Sequence, residues 1–156
     1  IGLVEMIREE PGMFDRRSLM VGGLAAAAAA SLARVAQAQS GRPMLVFVGD
    51  QTSEACKIWR TQWEPLFLAS PAFKKLDYRV INPATSALLG KQQSWPADLR
   101  WLLDTFLMSQ VGVQEGFEVP RFFLVQNRQV TMSTSGNNAW RDVMWPTILD
   151  VTGTSA

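Results

Sequence analysis

The sequence predicts an α/β domain, a four-stranded mixed sheet with helices on both faces in the order β-α-β-α-β-β-α, placed after an N-terminal export signal. Three observations predict it. Two short strand-like runs, 44–48 and 77–81, flank a segment whose apolar residues recur at three- and four-residue steps. Two further strand-like runs are separated only by Asn127-Arg128, which reads as a hairpin. Finally, an alanine-rich stretch behind paired arginines ends in Ala-x-Ala, the layout of a signal peptide. The expected division is therefore 1–38, upstream residues plus signal, and 39–156, the folded domain.

The signal reads as Phe14-Asp15-Arg16-Arg17-Ser18-Leu19-Met20, then Val21-Gly22-Gly23-Leu24 and six alanines, closing on Val35-Ala36-Gln37-Ala38. The paired arginines and weakly hydrophobic middle resemble a twin-arginine signal, and Arg34 near the expected cut after Ala38 suits that route. The apolar run Leu19–Ala33 is about 15 residues, short of the roughly 20 that span a bilayer, so no membrane segment is expected after cleavage. Met13 is the expected start, with residues 1–12 upstream of it. The expected location is the periplasm.

Met44-Leu45-Val46-Phe47-Val48 is a continuous apolar run closed by Gly49-Asp50, so it reads as a buried strand. From Glu54 to about Ser70, the spacing of Ile58, Trp59, Trp63, Leu66 and Phe67 gives a helix one apolar face, which Pro65 should bend or shorten. Asp77-Tyr78-Arg79-Val80-Ile81 alternates and stops at Asn82-Pro83. Ser94-Trp95-Pro96-Ala97-Asp98 is a helix start, with Trp101, Leu102, Phe106 and Leu107 as the expected buried stripe. Gly112 and Gly116 mark its exit. Phe122–Val125 and Gln129–Ser133 are the hairpin strands. Gly136 with Asn137-Asn138 should break and cap the chain before a last helix, about Ala139 to Val151, bent near Pro146. A strand-helix-strand start implies a parallel pair with a right-handed crossover.

Composition excludes several chemistries. The chain has no histidine, which removes Ser-His-Asp and Cys-His catalysis and histidine-ligated metals. Its one cysteine, Cys56, excludes an internal disulfide and a thiolate cluster. Met44, Met108, Met132 and Met144 are scattered and make no metal site, and no glycine-rich phosphate loop or other cofactor motif is present. A net charge of +1 gives no reason to expect nucleic acid as a partner. Trp95, Trp101, Trp140 and Trp145 at helical spacing read first as core, with an aromatic ligand groove as the alternative.

The element order and several local segments resemble the thioredoxin fold. Glu118-Val119-Pro120-Arg121 followed by Phe122-Phe123-Leu124-Val125 looks like that family's cis-proline segment and strand. Gly136 stands where the family commonly has a glycine before its last helix. Cys56-Lys57-Ile58-Trp59 looks like the end of the redox motif and is similar to exported proteins of the SoxS/SoxW type. The resemblance implies that Val119 and Pro120 present backbone to an extended protein or peptide partner, with Trp59 beside it.

The chain departs from that family where its chemistry resides. Dithiol exchange needs a low-pKa cysteine at a helix N-terminus and a second, resolving cysteine. Here the four residues are Ser53-Glu54-Ala55-Cys56. Thr52 replaces the usual tryptophan, and the family's buried acid falls at Phe47. Reading Cys56 as the first cysteine puts Trp59 at the second, which also lacks a dithiol.

The leading expectation is a single-cysteine thiol role for Cys56. Its pKa should be lowered by the helix end and by Arg121, with Ser53 in support and Glu54 opposing. One alternative is a redox-inactive binding or chaperone module, with Cys56 an apolar filler. Another is a one-cysteine peroxidase, since Ser53-x-x-Cys56 loosely resembles the peroxiredoxin motif; there Gly49 stands in place of the usual proline.

Overall fold

The computed structural model describes residues 41–155. The signal predicted over 1–38, its cleavage point at Ala38 and the start at Met13 lie outside the described residues.

Strand β1 (Met44–Val48) is central, and the sheet order is β2-β1-β3-β4 with β2 (Asp77–Ile81), β3 (Arg121–Gln126) and β4 (Gln129–Ser135). β1 runs parallel to β2 and antiparallel to β3, and β3 and β4 form the hairpin. Both turn residues have positive φ, Asn127 at 52° and Arg128 at 60°, as the twist of a two-residue hairpin demands. With helix α1 (residues 54–69), α2 (residues 97–109) and α3 (residues 136–152), the order is β-α-β-α-β-β-α. The arrangement is thioredoxin-like, a mixed four-stranded sheet between helices.

β1 is buried on both faces, which is why its sequence runs apolar without alternation. Leu45, Phe47, Phe122 and Leu124 face α1 and α3, where they meet Trp59, Phe67, Trp140 and Ile148. Val46, Val48, Phe123 and Val125 face α2 and meet Leu99, Leu102 and Phe106. The expected α2 stripe needs correction at two places, since Trp101 is only half-buried and Leu107 is 38% exposed. Its first half, Ala97–Leu102, is a 3-10 helix and only Leu103–Ser109 is α-helical. Three residues per turn align Leu99 with Leu102, and the α turn then carries the stripe to Phe106.

Pro65 and Pro146 do not end their helices. In α1 a π turn, Trp59–Trp63, joins Glu54–Ile58 to Glu64–Ala69, and in α3 a π turn, Trp140–Met144, joins Gly136–Ala139 to Trp145–Thr152. The N–H of Glu64 reaches back to the Trp59 carbonyl, and that of Trp145 to the Trp140 carbonyl. Each wide turn ends two residues before a proline, so the ring enters where the ladder has already opened.

At the start of α3, Gly136 has φ +83°, a backbone that favours glycine, and its N–H donates to the Pro120 carbonyl at 2.8 Å. The expected asparagine cap is corrected: Ser135 is the cap residue, and Asn137 instead donates Nδ2 to the Ala55 carbonyl at 3.1 Å, tying α3 to α1.

Trp59 has no exposed surface and sits where sheet, α1 and α3 converge. Its ring stacks on Phe47 at 4.6 Å and lies 5.3 Å from both Phe122 and Trp140. Trp59→Ala is expected to cost about 3–5 kcal/mol and Trp59→Phe clearly less. Urea unfolding with a near-ultraviolet dichroism readout checks both.

Candidate functional site

The candidate site is the loop from β1 into α1. β1 ends at Gly49, whose N–H donates to the Ile81 carbonyl at 2.9 Å. Asp50 follows and is 2% exposed. Its Oδ1 accepts from the Thr52 N–H at 2.8 Å, the Thr52 hydroxyl at 2.5 Å and the Ser53 N–H at 2.9 Å. This carboxylate folds the loop over itself in an Asx turn and delivers Ser53 to the cap position of α1. Ser53 Oγ then accepts the Cys56 N–H at 3.3 Å. The sequence showed Gly49-Asp50 only as a turn. The Asp-x-Thr-Ser spacing is the signal that could have revealed the buried acid.

Cys56 has no exposed surface. Its sulfur packs over the Gly49 backbone so closely that a Cβ there would stand 2.6 Å from Sγ and 2.7 Å from the Phe47 ring. Only glycine admits that approach. The expectation of a lowered thiol pKa is corrected: burial pushes Cys56 above its ordinary 9.0. Bonds from the Ser53 side chain and the Asp50 backbone pull the other way, the Asp50 charge raises it again, and Arg60 lowers it. The helix start is present, but desolvation of the thiolate outweighs it.

Two other assignments are corrected by strand and helix phase. Arg121 does not approach the thiol. It pairs with Val48 in the ladder, so it points to the α2 face, whereas its neighbour Phe122 points to the Cys56 face. Arg121 is 8% exposed; its Nη2 donates to Glu118 at 2.8 Å and its Nη1 to Ser133 at 3.2 Å. Trp59, expected beside a partner, is wholly inside the core. Glu54 turns outward to Lys57 at 3.6 Å. Val119 is half-buried and packs against both cores, Pro120 is buried, and the peptide between them is cis.

A second buried acid lies on α1. Glu64 accepts from the Tyr78 hydroxyl at 2.7 Å and faces Arg60 Nε at 3.4 Å. Burial first, and then the bond to Glu64, pushes the Tyr78 phenol far above its ordinary 10.0. On the outer side, Trp63, Leu66, Phe67, Trp140 and Trp145 line an apolar depression between α1 and α3. The tryptophans thus divide: Trp95 and Trp140 are core, while Trp145 and Trp63 are half-buried at the rim.

No protein-family model and no curated protein matches the chain. Among solved structures, the short form of thioredoxin f from spinach chloroplast is 15% identical, with a TM-score of 0.42 over 76% of this chain and 83% of its own. Trxlp from Edwardsiella tarda EIB202 is 27% identical, with a TM-score of 0.38 over 67% of this chain and 82% of its own.

Two predictions follow from this geometry. Ser53→Cys should form a disulfide with Cys56 under mild oxidation, read as loss of both titratable thiols, because side chain 53 already reaches the amide of residue 56. Stability should also fall as pH rises past 9. Cys56 and Tyr78 are held protonated in the folded state, so the unfolded chain releases those protons first, from ordinary values of 9.0 and 10.0. Thermal melts should show the decline, with Cys56→Ala removing its lower part and Tyr78→Phe its upper part.

Proposed function

We propose that this domain is a redox-inactive, non-covalent binding module on a thioredoxin-like frame, exported to the periplasm through the signal predicted in residues 1–38. The observation that carries the reading is the state of Cys56. The one thiol of the chain has no exposed surface and is harder to ionise than a free thiol. A thiol nucleophile needs the thiolate and an approach path, and a peroxidatic cysteine needs both as well. The residue that would start dithiol exchange is Ser53, engaged as a helix cap.

The proposed binding surface is the segment around Val119 and Pro120, facing an extended protein or peptide segment. The likeness to exported SoxS/SoxW-type proteins, carried by Cys56-Lys57-Ile58-Trp59, belongs to the same proposal and concerns the frame rather than the chemistry. Trp59 and Cys56 then act from within, as packing beneath the loop.

Alkylation of the folded protein as a function of pH tests this. Cys56 should stay slow to pH 9, with the rate rising only when denaturant is added. Partner capture from a periplasmic extract should be unchanged in Cys56→Ala, which should lose about 1–2 kcal/mol of stability through the vacated volume. Alkylation that follows an ordinary thiol titration, or covalent adducts on Cys56, would sink the proposal.

A further inference from the structure

The two edges of the sheet are built differently. β4 carries a register irregularity opposite Leu124/Val125, a device that blunts an edge against further pairing. β2 is the opposite edge among the described residues, and its register with β1 is regular from Asp77 to Ile81, with no proline and no bulge. The N–H of Asp77 donates to the Pro43 carbonyl and the Ile81 carbonyl accepts from Gly49, so residues 77, 79 and 81 turn their backbone groups toward β1. Alternation then directs the N–H and C=O of Tyr78 and Val80 outward.

From this we infer that β2 is a self-pairing edge, joining a second copy of this chain antiparallel about Tyr78 to make one eight-stranded sheet. Charge complementarity selects the occupant. In that register Tyr78 exchanges two hydrogen bonds with the other Tyr78, and Val80 N–H meets the Leu76 carbonyl in each direction. Asp77 comes opposite Arg79 of the second copy, and Arg79 opposite its Asp77, both on one sheet face. The strand's charge order is its own complement only in the antiparallel sense; a parallel copy would set like charges side by side.

The side chains are poised for this. Asp77 is 54% exposed and reaches its own Arg79 only at 3.9 Å. Arg79 donates to Asp98 from both terminal nitrogens, at 2.7 and 3.1 Å, and its side chain stays 31% exposed, with five N–H donors in all to share with a second carboxylate. Val80 is 38% exposed at the same edge. A two-fold contact of this kind closes on itself and does not propagate into fibres. The inference is independent of the binding reading and stands or falls without it.

Sedimentation of the full chain across a concentration series tests it. The native chain should show a monomer-dimer equilibrium. Asp77→Arg and Arg79→Asp should each be monomeric where the native chain is dimeric, and an equimolar mixture of the two should recover the dimer. Val80→Pro removes an outward N–H without touching the β1 ladder, and it should also be monomeric with an unchanged far-ultraviolet spectrum. Amides 78 and 80 should exchange slowly in the dimer and at least tenfold faster in Val80→Pro's neighbour Tyr78 once the pairing is lost. A native chain that stays monomeric would overturn the inference, whether those amides exchange freely or are protected by another part of the same chain. So would a dimer indifferent to all three substitutions.

Discussion

The burial of Trp59 is the constraint on which most of this molecule depends. An indole packed at once against Phe47, Phe122 and Trp140 leaves α1 no freedom to rotate about its axis. Cys56 lies three residues earlier on the same helix, hence on the same stripe. Fixing Trp59 inward therefore fixes the thiol inward, over Gly49 and away from water. The interaction that organises the core is also the one that withdraws the sulfur from chemistry. A more reactive thiol at this position would need a different helix rotation, and with it a different core.

Polar groups secure the same helix from its two sides. Asp50 folds the entry loop and places the Ser53 cap, Glu64 binds Tyr78 of β2, and Asn137 reaches from α3 to the Ala55 carbonyl. The first fixes the start of α1, the other two join it to β2 and α3, and two of the three use a carboxylate that is nearly buried. Removing a partner from such a group leaves its desolvation uncompensated, so these ties contribute to a single arrangement more than to net stability.

Much of the fold was legible in the sequence because it rests on short-range patterns. The hairpin followed from Asn127-Arg128, the strands from apolar runs and alternation, and the element order from their succession. What was not legible is facing. Phe122-Phe123-Leu124-Val125 is apolar on both sides of the sheet, so nothing in it reveals which way Arg121 points. The α2 stripe departs from the expected one because a single spacing implies one helical pitch, and this helix changes from three residues per turn to 3.6 at Leu103. Around Cys56 the spacing correctly located a helix start. It gave no measure of depth, and depth decided the direction of the thiol's pKa. The burial of Asp50 is not legible from Gly49-Asp50 alone, because one acidic residue after a glycine suits a solvated turn as well as a buried one.

The π turns at Trp59–Trp63 and Trp140–Met144 carry a historical implication. A π turn is how a helix absorbs one inserted residue while the segments on either side keep their faces. Each of these two ends two residues before a proline, and that ring would collide with the carbonyl four residues back if the ladder were regular. Wide turn and proline thus fit each other. The wide turn makes room for the ring, and the ring prevents the turn from closing into ordinary helix. Lineages descended from the same ancestor should gain or lose the two together, so an alignment gap at either turn ought to coincide with a change at position 65 or 146.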